Sequence, residues 1–338
     1  MDLLATSEQE EIRDAVQVFL SEQLPLGRFA GKAGSYTSDH GLWPRFAELG
    51  WFGLGISQDA GGLGMGLAEE VLVHREYGRH LATTSLIATT LAAHALAAQG
   101  LHDRVKPLLS GELRCCVALA LGHAAGDAQP GEINVLLMDP RPGDLVLVWS
   151  RDGLAVMDAH TVREPRSVRS FDDALPVARA GLAGRPLACV ARESELGRRS
   201  VVLAAAYCAG LLEATRDMAV AYAGAREQFG QPIGAFQAVK HKCADMGVRC
   251  EVAWAQTLFA ALSVQAQAPD AQFQVNAASV VASGAAITSA EDNIQVHGAM
   301  GYTAEIPAHL LLKRAHVMNQ ILGAERAQQA AMLQAASH

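Results

Sequence analysis

The chain has 338 residues, of which 50% are hydrophobic and 18% are charged. This length suggests about two domains, and the composition excludes disorder as the state of most of the chain. The net charge is −8 and the basic residues are scattered, which argues against a nucleic-acid-binding protein with a basic face. The six cysteines are too few for a disulfide framework and lack paired zinc-ligand spacing.

The first residues are acidic and show no basic-then-apolar signal pattern. The longest apolar run covers 12 residues, 201–212, whereas a membrane span needs roughly 20. The sequence therefore predicts a cytoplasmic protein without membrane insertion, in which most cysteines are buried in the core.

The first third of the chain predicts helices. Thr6 or Ser7 can cap a helix over 7–23, with Gln9 or Glu10 three residues on completing a capping box. Further helices are predicted over 42–49, 67–80 and 83–99. The glycines of Gly61–Gly66 superficially resemble a dinucleotide fingerprint, but no βαβ unit follows them. We interpret them as a turn that uses positive φ and close packing.

The middle of the chain changes to short apolar runs rich in Val and Leu, separated by Gly, Pro, Asp and Asn, which predicts strands and turns. The predicted strands are 115–121, 133–138, 145–149 and 154–157. After about Arg192 the pattern is helical again. Helices are predicted over 201–225, 236–267, 271–296 and 307–335.

The order of these elements predicts an α+β, mostly α, protein that ends in a four-helix bundle. The predicted boundaries are an N-terminal helical domain over 1–110, a small middle β domain over 111–185 and a C-terminal helical bundle over 190–338.

Two C-terminal segments carry the chemical information. The first begins Arg226-Glu-Gln-Phe-Gly-Gln-Pro and runs to Met246, and the second, Gln295–Glu305, begins Gln-Val-His-Gly-Ala-Met-Gly-Tyr. The Arg226 guanidinium at a helix terminus is suited to a phosphate, and the glycines after Gln295 let backbone amides approach a diphosphate. From these residues alone, a surface cation and a helix–helix turn are the favoured interpretations.

These two segments, together with the run from Leu49 to Gly64 and with Glu76-Tyr-Gly-Arg79, resemble the signatures of the acyl-CoA dehydrogenase family. The resemblance covers nearly the whole chain in the family's order of domains. It implies an FAD-dependent enzyme that removes the α proton and β hydride of an acyl-CoA thioester. A carboxylate takes the proton and the flavin takes the hydride.

The resemblance also implies roles for individual residues. Arg226 and Gln237 match the positions that contact the adenosine-diphosphate part of FAD, commonly across a subunit interface. The segment at Gln295 matches the one that approaches the diphosphate of the neighbouring subunit's FAD. The cofactor-binding residues implied in this way are Arg226, Gln228, Phe229, Gln237, Gln295, Val296, His297, Gly298 and Ala299. Ala299 replaces the family's second glycine and adds a methyl group where backbone approaches the cofactor.

The family's catalytic glutamate has no counterpart at the expected positions. Alignment of 313–326 places Leu322 or Gly323 there. Some members carry the base 26 residues before the arginine of the first segment, and 226 − 26 = 200 is Ser200. Glu325, one helical turn from Leu322, is the remaining candidate for a substitute base, against the alternative of a solvated glutamate.

Other titratable residues near these segments are interpreted structurally. Glu291 and Asp292 are expected to face solvent, and His297 and His316 are expected to be core or interface histidines. No ligand spacing indicates a metal site. The middle domain is short and lacks the Trp-Ile-Thr-Asn-like segment that binds the flavin ring in the family.

Two functions from different classes follow, and a third remains open. The chain resembles the subunit without a catalytic glutamate in heterotetrameric dehydrogenases that act on steroid or other bulky side-chain CoA thioesters. In that case a homologous subunit is its partner, supplies the base and shares the acyl-CoA substrate. The alternatives are a homodimeric or homotetrameric dehydrogenase with an unconventional base, or a family member that binds CoA esters or flavin without redox chemistry.

Overall fold

The computed structural model describes residues 4–32, 39–121, 132–323 and 325–335. Across these residues the chain forms ten α-helices and nine β-strands, which fall into two compact units. The first unit gathers the described residues of Met1–Thr37, Val71–Ala82 and Val201–His338. The second gathers those of Ser38–Glu70 and Thr83–Ser200.

The predicted α+β, mostly α, fold class is confirmed. The helices are α1 Ser7–Gln23, α2 Trp43–Glu48, α3 Leu67–Arg79, α4 Ser85–Ala98, α5 His102–Leu109, α6 Glu195–Ala225, α7 Gln237–Gln265, α8 Ala271–His297, α9 Ala308–Ile321 and α10 Glu325–Ala335. The strands are β1 Cys115–Ala120, β2 Glu132–Met138, β3 Leu145–Trp149, β4 Gly153–Met157, β5 Val162–Val168, β6 Val177–Ala183, β7 Ala188–Ala191, β8 Glu227–Gln228 and β9 Gln231–Pro232.

The start of α1 confirms the predicted capping box. The Thr6 side chain accepts a hydrogen bond from the Gln9 amide at 3.2 Å, and the Gln9 side chain accepts one from the Thr6 amide at 3.1 Å. Both interactions satisfy backbone N–H groups that a helix start leaves without intrahelical partners. Val16 and Leu20, four residues apart, form the buried stripe of this helix.

The second unit contains a seven-stranded sheet in the order β5-β6-β2-β1-β3-β4-β7. Only the β1–β3 pair is parallel, and the other neighbours are antiparallel. The buried helix α4 packs on this sheet, since its residues from Ser85 to Ala93 are all buried. The glycine-rich turn before α3 is confirmed: Gly61 and Gly64 have φ of +89° and +73°. A Cβ at Gly62 would lie 2.2 Å from the Ile56 carbonyl oxygen.

All four predicted strands are confirmed, whereas β5, β6 and β7 were not predicted. Strand β5 is mostly exposed and polar, and Pro165 lies in a register shift between Arg163 and Arg166. A proline is tolerated at such an edge irregularity because it has no N–H to pair. The strand therefore carries no apolar alternation that a sequence pattern can report.

In the first unit, α3 and α6 approach at backbone distance. A Cβ at Gly78 would lie 1.9 Å from the Tyr207 carbonyl oxygen, and a Cβ at Gly210 would lie 1.7 Å from the Arg75 carbonyl oxygen. Neither distance is possible for a real side chain, so both positions require glycine. The Tyr207 hydroxyl donates to the Ala82 carbonyl at 2.6 Å and accepts from Arg314 on α9 at 2.6 Å.

One helix prediction is wrong in detail, and one helix was missed. The predicted helix over 307–335 is two helices, because α9 ends at Ile321 and Gly323 takes a φ of +103°, which an α-helix does not allow. Helix α5 was not predicted; it contains Pro107 in its second half, and a proline at such a position usually ends or kinks a helix.

None of the helices in the described ranges is long and apolar enough to cross a bilayer. Those ranges also hold no group of three or more His, Cys, Asp or Glu side chains suited to a metal ion. The six cysteines are free thiols, of which Cys115, Cys116, Cys208 and Cys250 are buried. Cys243 is half-buried, and Cys189 is exposed.

Candidate functional site

The first predicted segment forms a small hairpin at the end of α6. Arg226 follows the helix directly: its amide donates to the Tyr222 carbonyl and its carbonyl accepts from the Ile233 amide, both at 2.8 Å. These bonds fix the backbone, while the Arg226 side chain is exposed. Strands β8 and β9 then pair Gln228 with Gln231 across a two-residue turn.

That turn consists of Phe229 and Gly230, with φ of +54° and +80°. Two successive positive φ angles form the tight turn that suits a two-residue hairpin, but such angles are uncommon for an aromatic residue. The Phe229 side chain is 93% exposed, and its ring centroid lies 6.1 Å from that of Phe236 in an edge-to-face arrangement. The hairpin thus presents an aromatic ring outward.

Helix α7 follows the hairpin after one 3-10 turn, Ile233–Ala235. Its first residue, Gln237, is exposed, and its N-cap residue is Phe236, whose side chain makes no capping hydrogen bond. The first N–H groups of a helix have no intrahelical acceptor and favour negative charge. The start of α7 therefore places backbone donors and an exposed amide side chain beside the hairpin.

The second predicted segment forms the end of α8. Gly298 is the C-cap, with a φ of +59°, and its amide donates to the Gln295 carbonyl. A Cβ at Gly298 would meet no heavy atom within 4 Å, so its outer face is open. Gly301 is different, because a Cβ there would lie 2.8 Å from the Ile294 carbonyl oxygen. One glycine opens the surface and the other allows the chain to fold back on α8.

The structure brings the two segments together. The rings of Tyr222 on α6 and His297 on α8 stack with centroids 4.1 Å apart and planes at 26°. A small apolar cluster joins the ends of α6 and α8 to the hairpin and α7; it contains Ala219, Tyr222, Ala223, Ile233, Val239, Cys243, Met246 and Val296. We use the name cradle face for the exposed residues of the two segments that were predicted to bind the cofactor; they are Arg226, Gln228, Phe229, Gln237, Gln295, Gly298 and Ala299.

Two predicted cofactor residues point inward instead. Val296 belongs to the apolar cluster, and His297 is buried with its Nδ1 2.9 Å from the Asn293 carbonyl oxygen. Burial lowers the pKa of His297, which keeps the ring neutral near pH 7. Their side chains pack at the end of α8.

The positions expected to carry a base hold no carboxylate. Leu322 is 1% exposed at the C-cap of α9, and Gly323 follows it in the turn before α10. On α6, the Ser200 hydroxyl donates to the Gly197 carbonyl at 2.7 Å, one turn back along its own helix. The side chain of Glu325, the candidate substitute, lies outside the described part of the chain.

The acidic residues Glu291 and Asp292, which precede the second segment, differ in exposure. Glu291 is exposed, as predicted. Asp292 was also expected to face solvent, and this is wrong: its carboxylate accepts hydrogen bonds from Lys242 at 2.5 Å and from Arg249 at 2.8 Å and is 15% exposed. These hydrogen bonds and charges lower the pKa of Asp292 despite its partial burial. It links α7 to α8 rather than serving as a proton acceptor.

The structure also shows buried carboxylates that sequence reasoning did not single out as titratable sites. Glu70 accepts from the Gly55 amide at 3.2 Å, is 2.7 Å from His94 Nε2 and pairs with Arg199. In the first unit, Glu213 accepts two hydrogen bonds from Arg75. Their only sequence signal is a charged residue inside an otherwise apolar helical stripe.

Comparison with known families decides the identity of the fold. The profile of the acyl-CoA dehydrogenase N-terminal domain matches residues 6–109, and that of the acyl-CoA dehydrogenase C-terminal domain matches residues 196–336. The chain belongs to the acyl-CoA dehydrogenase family. The resemblance predicted from the motifs is thereby confirmed.

Full-length relatives agree with this assignment. Acyl-CoA dehydrogenase IpdE2 of Mycobacterium tuberculosis is 32% identical over 328 residues, which are 94% of each chain. Acyl-CoA dehydrogenase FadE34 of the same organism is 35% identical over 288 residues. Those residues are 82% of this chain but only 39% of FadE34, so the chain spans well under half of that relative.

Among solved structures, a chain of the ChsE4-ChsE5 complex from Mycobacterium tuberculosis superposes with a TM-score of 0.80 at 24% identity. The superposition covers 100% of this chain and 99% of that one, so the fold is shared from end to end.

Acyl-CoA dehydrogenases are FAD-dependent flavoproteins. The cradle face suits this dinucleotide: the Arg226 guanidinium offers paired donors for phosphate oxygens, and Gly298 leaves open space beside the backbone. The amides of Gln237 and Gln295 add neutral donors and acceptors of the kind that adenosine and ribose use. The residues present therefore fit the family's cofactor.

Proposed function

We propose that the chain is a subunit of an FAD-dependent acyl-CoA dehydrogenase, in which it contributes FAD contacts across an interface while a homologous partner supplies the catalytic base. The observation that carries this proposal is the absence of a carboxylate at Leu322, Gly323 and Ser200. Leu322 is also buried, so its position is filled by core packing. A chain of this kind needs a proton acceptor from elsewhere.

The cradle face supports the second half of the proposal. Within the described residues, the side chains of Arg226, Gln237 and Gln295 make no hydrogen bond or ion pair. Phe229 is held outward at the tip of the hairpin by a backbone conformation that its side chain does not favour. These groups are consequently available to a molecule outside this chain.

When bound, FAD supplies the acceptor for the β hydride of the acyl chain. The residues of this chain bind and orient: Arg226 holds phosphate charge, and Gln237 and Gln295 hold polar groups of the nucleotide. Gly298 lets backbone come close to it. Removal of the α proton falls to a carboxylate of the partner, because a leucine, a glycine and an internally bonded serine stand at this chain's base positions.

The proposed substrate is the CoA thioester of a steroid side chain or another bulky acyl group. This follows from the resemblance to glutamate-free subunits of heterotetrameric dehydrogenases. It agrees with the similarity to IpdE2 over 94% of both chains and to a chain of a two-protein complex, ChsE4-ChsE5. The proposed partner is a homologous chain that carries a glutamate where this chain has Leu322.

Assembly and flavin content test this proposal. The chain is purified alone and after co-expression with such a homologue, and the mass of each assembly and its flavin absorbance per chain are measured. We expect little flavin on the chain alone and a yellow mixed assembly after co-expression. A flavin-loaded homomer that oxidises acyl-CoA by itself would instead establish the homomeric enzyme. A flavin-loaded or CoA-binding homomer without turnover would establish the non-redox alternative.

A further inference from the structure

Glu76 and His80 form a buried pair inside the first unit, and the proposed function assigns no role to either residue. They lie one turn apart, at the end of α3 and just after it, and are 1% and 7% exposed. Glu76 belongs to the Glu-Tyr-Gly-Arg segment that the sequence analysis singled out. The Glu76 Oε2 atom and the His80 Nε2 atom are 3.8 Å apart.

The hydrogen bond on the other side of the ring fixes the tautomer of His80. Its Nδ1 lies 3.2 Å from the carbonyl oxygen of Leu24, the C-cap residue of α1. A carbonyl oxygen only accepts, so Nδ1 carries a hydrogen and donates it. In a neutral imidazole, Nε2 then presents a lone pair toward Glu76.

Both atoms that face each other are buried without another partner. Neither Glu76 Oε2 nor His80 Nε2 has a hydrogen bond within the part of the chain that the structure describes. Two acceptors facing each other in the interior are unfavourable, because each loses its water and gains nothing in return. A proton on the Glu76 carboxyl group removes its charge and one of the two facing acceptors, while the 3.8 Å separation is longer than a hydrogen bond.

The surrounding charges do not supply an alternative partner for Glu76. On its own helix, Arg75 and Arg79 direct their guanidinium groups to Glu213 and Asp217 of α6, and Arg75 also lies over the Trp254 ring of α7. The positive charges of these two arginines and of Arg13 on α1 lower the pKa of Glu76, whereas the negative charge of Glu213 raises it. The positive charges of Arg79 and Arg28 lower the pKa of His80.

Burial and these charges set the direction in which the pKa of each member of the pair departs from its ordinary value. Burial raises the pKa of Glu76 to about 7, with a further upward contribution from Glu213. Burial lowers the pKa of His80 to about 4, and the cations beside it act in the same direction. The proton is therefore retained by the carboxyl group, and the imidazole stays neutral.

We propose that Glu76 and His80 form a buried single-proton site where the C-terminal end of α1 meets the end of α3. The Glu76 carboxyl group carries the proton and faces His80 Nε2 without a charge at 3.8 Å, and the opposite edge of the same ring donates to the Leu24 carbonyl oxygen. The hydrogen bond to Leu24 connects α1 to the end of α3, and the proton on Glu76 keeps an unpaired charge out of the interior beside it.

The proton balance of the site predicts its pH dependence. The folded pair holds one proton between about pH 4 and 7. The unfolded pair, with ordinary values of 4.5 and 6.5, also holds one proton across most of that range, on the histidine. Because both states bind nearly the same number of protons, the intact pair adds little pH dependence to stability. Each member alone adds a large pH dependence to stability, and the two pH dependences are opposite in sign.

Single variants of the full-length chain separate the two members. In Glu76→Gln, His80 stays neutral when folded and becomes charged when unfolded, so stability rises with pH from 5 to about 6.5. In His80→Gln, the raised pKa of Glu76 remains, so stability falls as pH rises from 5 to about 7. The limiting slope in each case is about a tenfold change in the unfolding constant per pH unit.

The measurement is urea unfolding of wild type and both variants at half-unit steps from pH 5 to 8. The exposed residues Glu11 and His102 provide matched controls, Glu11→Gln and His102→Gln, which are expected to follow wild type at every pH. Opposite slopes in the two variants and a flatter wild type support the site. Two variants that follow wild type across the range would overturn it.

A second readout covers a His80 variant that does not fold. In wild type labelled with ¹³C at the glutamate carboxyl groups, one resonance is expected to titrate near pH 7 and to be missing in Glu76→Gln. If every glutamate resonance of the folded protein has finished titrating by about pH 5.5, Glu76 holds no proton at neutral pH and the proposal is wrong.

Discussion

Arginines have opposite environments in two regions of the first unit. At the contact between α3 and α6, Arg75 pairs with Glu213 and Arg79 pairs with Asp217, within the same unit. On the cradle face, a single guanidinium, that of Arg226, is exposed and makes no hydrogen bond or ion pair within the described chain. Both regions carry arginines on or beside the same helix, α6.

The difference separates residues that build the fold from residues that await a ligand. An arginine that pairs with a buried acidic side chain stabilises its own chain, and its removal leaves that side chain without a partner. An exposed arginine held on a fixed backbone contributes nothing comparable to stability and is available to bind. The variants below change one region at a time and are expected to affect stability or flavin binding, but not both.

The largest expected effect comes from the α3–α6 contact. In Gly210→Ala, the new methyl group would meet the Arg75 carbonyl oxygen, so we expect the free energy of unfolding to fall by about 3 kcal/mol or more. Gly224 on the same helix has no atom within 4 Å of its Cβ position, so Gly224→Ala is the matched control and should stabilise by about 0.5–1 kcal/mol. Denaturant unfolding of both variants measures this, and equal effects would show that the helices do not meet at Gly210.

The next effect concerns the cradle face. Loss of a charged hydrogen-bond donor to phosphate costs about 1.5–3 kcal/mol, so Arg226→Ala should weaken flavin binding about tenfold to a hundredfold in the active assembly. Its urea midpoint should stay that of wild type. Arg185, another exposed arginine, provides the control Arg185→Ala. Unchanged flavin retention in Arg226→Ala would remove this residue from the cofactor site.

The smallest effect is expected from the neutral members of the cradle face. A neutral hydrogen bond contributes about 0.5–1.5 kcal/mol, so Gln237→Ala and Gln295→Ala should each weaken flavin binding by about twofold to tenfold. Titration of the flavin-free assembly with FAD measures both. An effect of Gln295→Ala larger than that of Arg226→Ala would reverse the order that the charge of the guanidinium predicts.

Much of the fold could be predicted because its signals are local. The capping box at Thr6 and Gln9 marked the start of α1, and apolar periodicity marked most of the long helices. The break between α9 and α10 was missed because Gly323 is one residue in an otherwise helical pattern. Strand β5 was missed because an exposed edge strand containing Pro165 has no apolar alternation.

For the candidate site too, some features could be predicted from the sequence and others could not. The two motif segments were found from their resemblance to the family's signatures, and the structure brings them together through Tyr222 and His297. Their burial could not be read from sequence, since Val296 and His297 turn inward while their neighbours are exposed. The ion pairs of Asp292 and the Glu76–His80 contact arise from helices far apart in the chain or from burial, which no spacing rule reports.

The division of labour between this chain and a partner is tested most directly by turnover. Acyl-CoA-dependent reduction of an artificial electron acceptor is measured with the chain alone, supplied with FAD, and with the chain bound to a homologue that carries a glutamate where this chain has Leu322. A panel of acyl-CoA thioesters that includes steroid side-chain thioesters serves as substrate. The account predicts turnover by the mixed assembly and none by this chain alone. Turnover by the chain alone at the rate of the mixed assembly would contradict it.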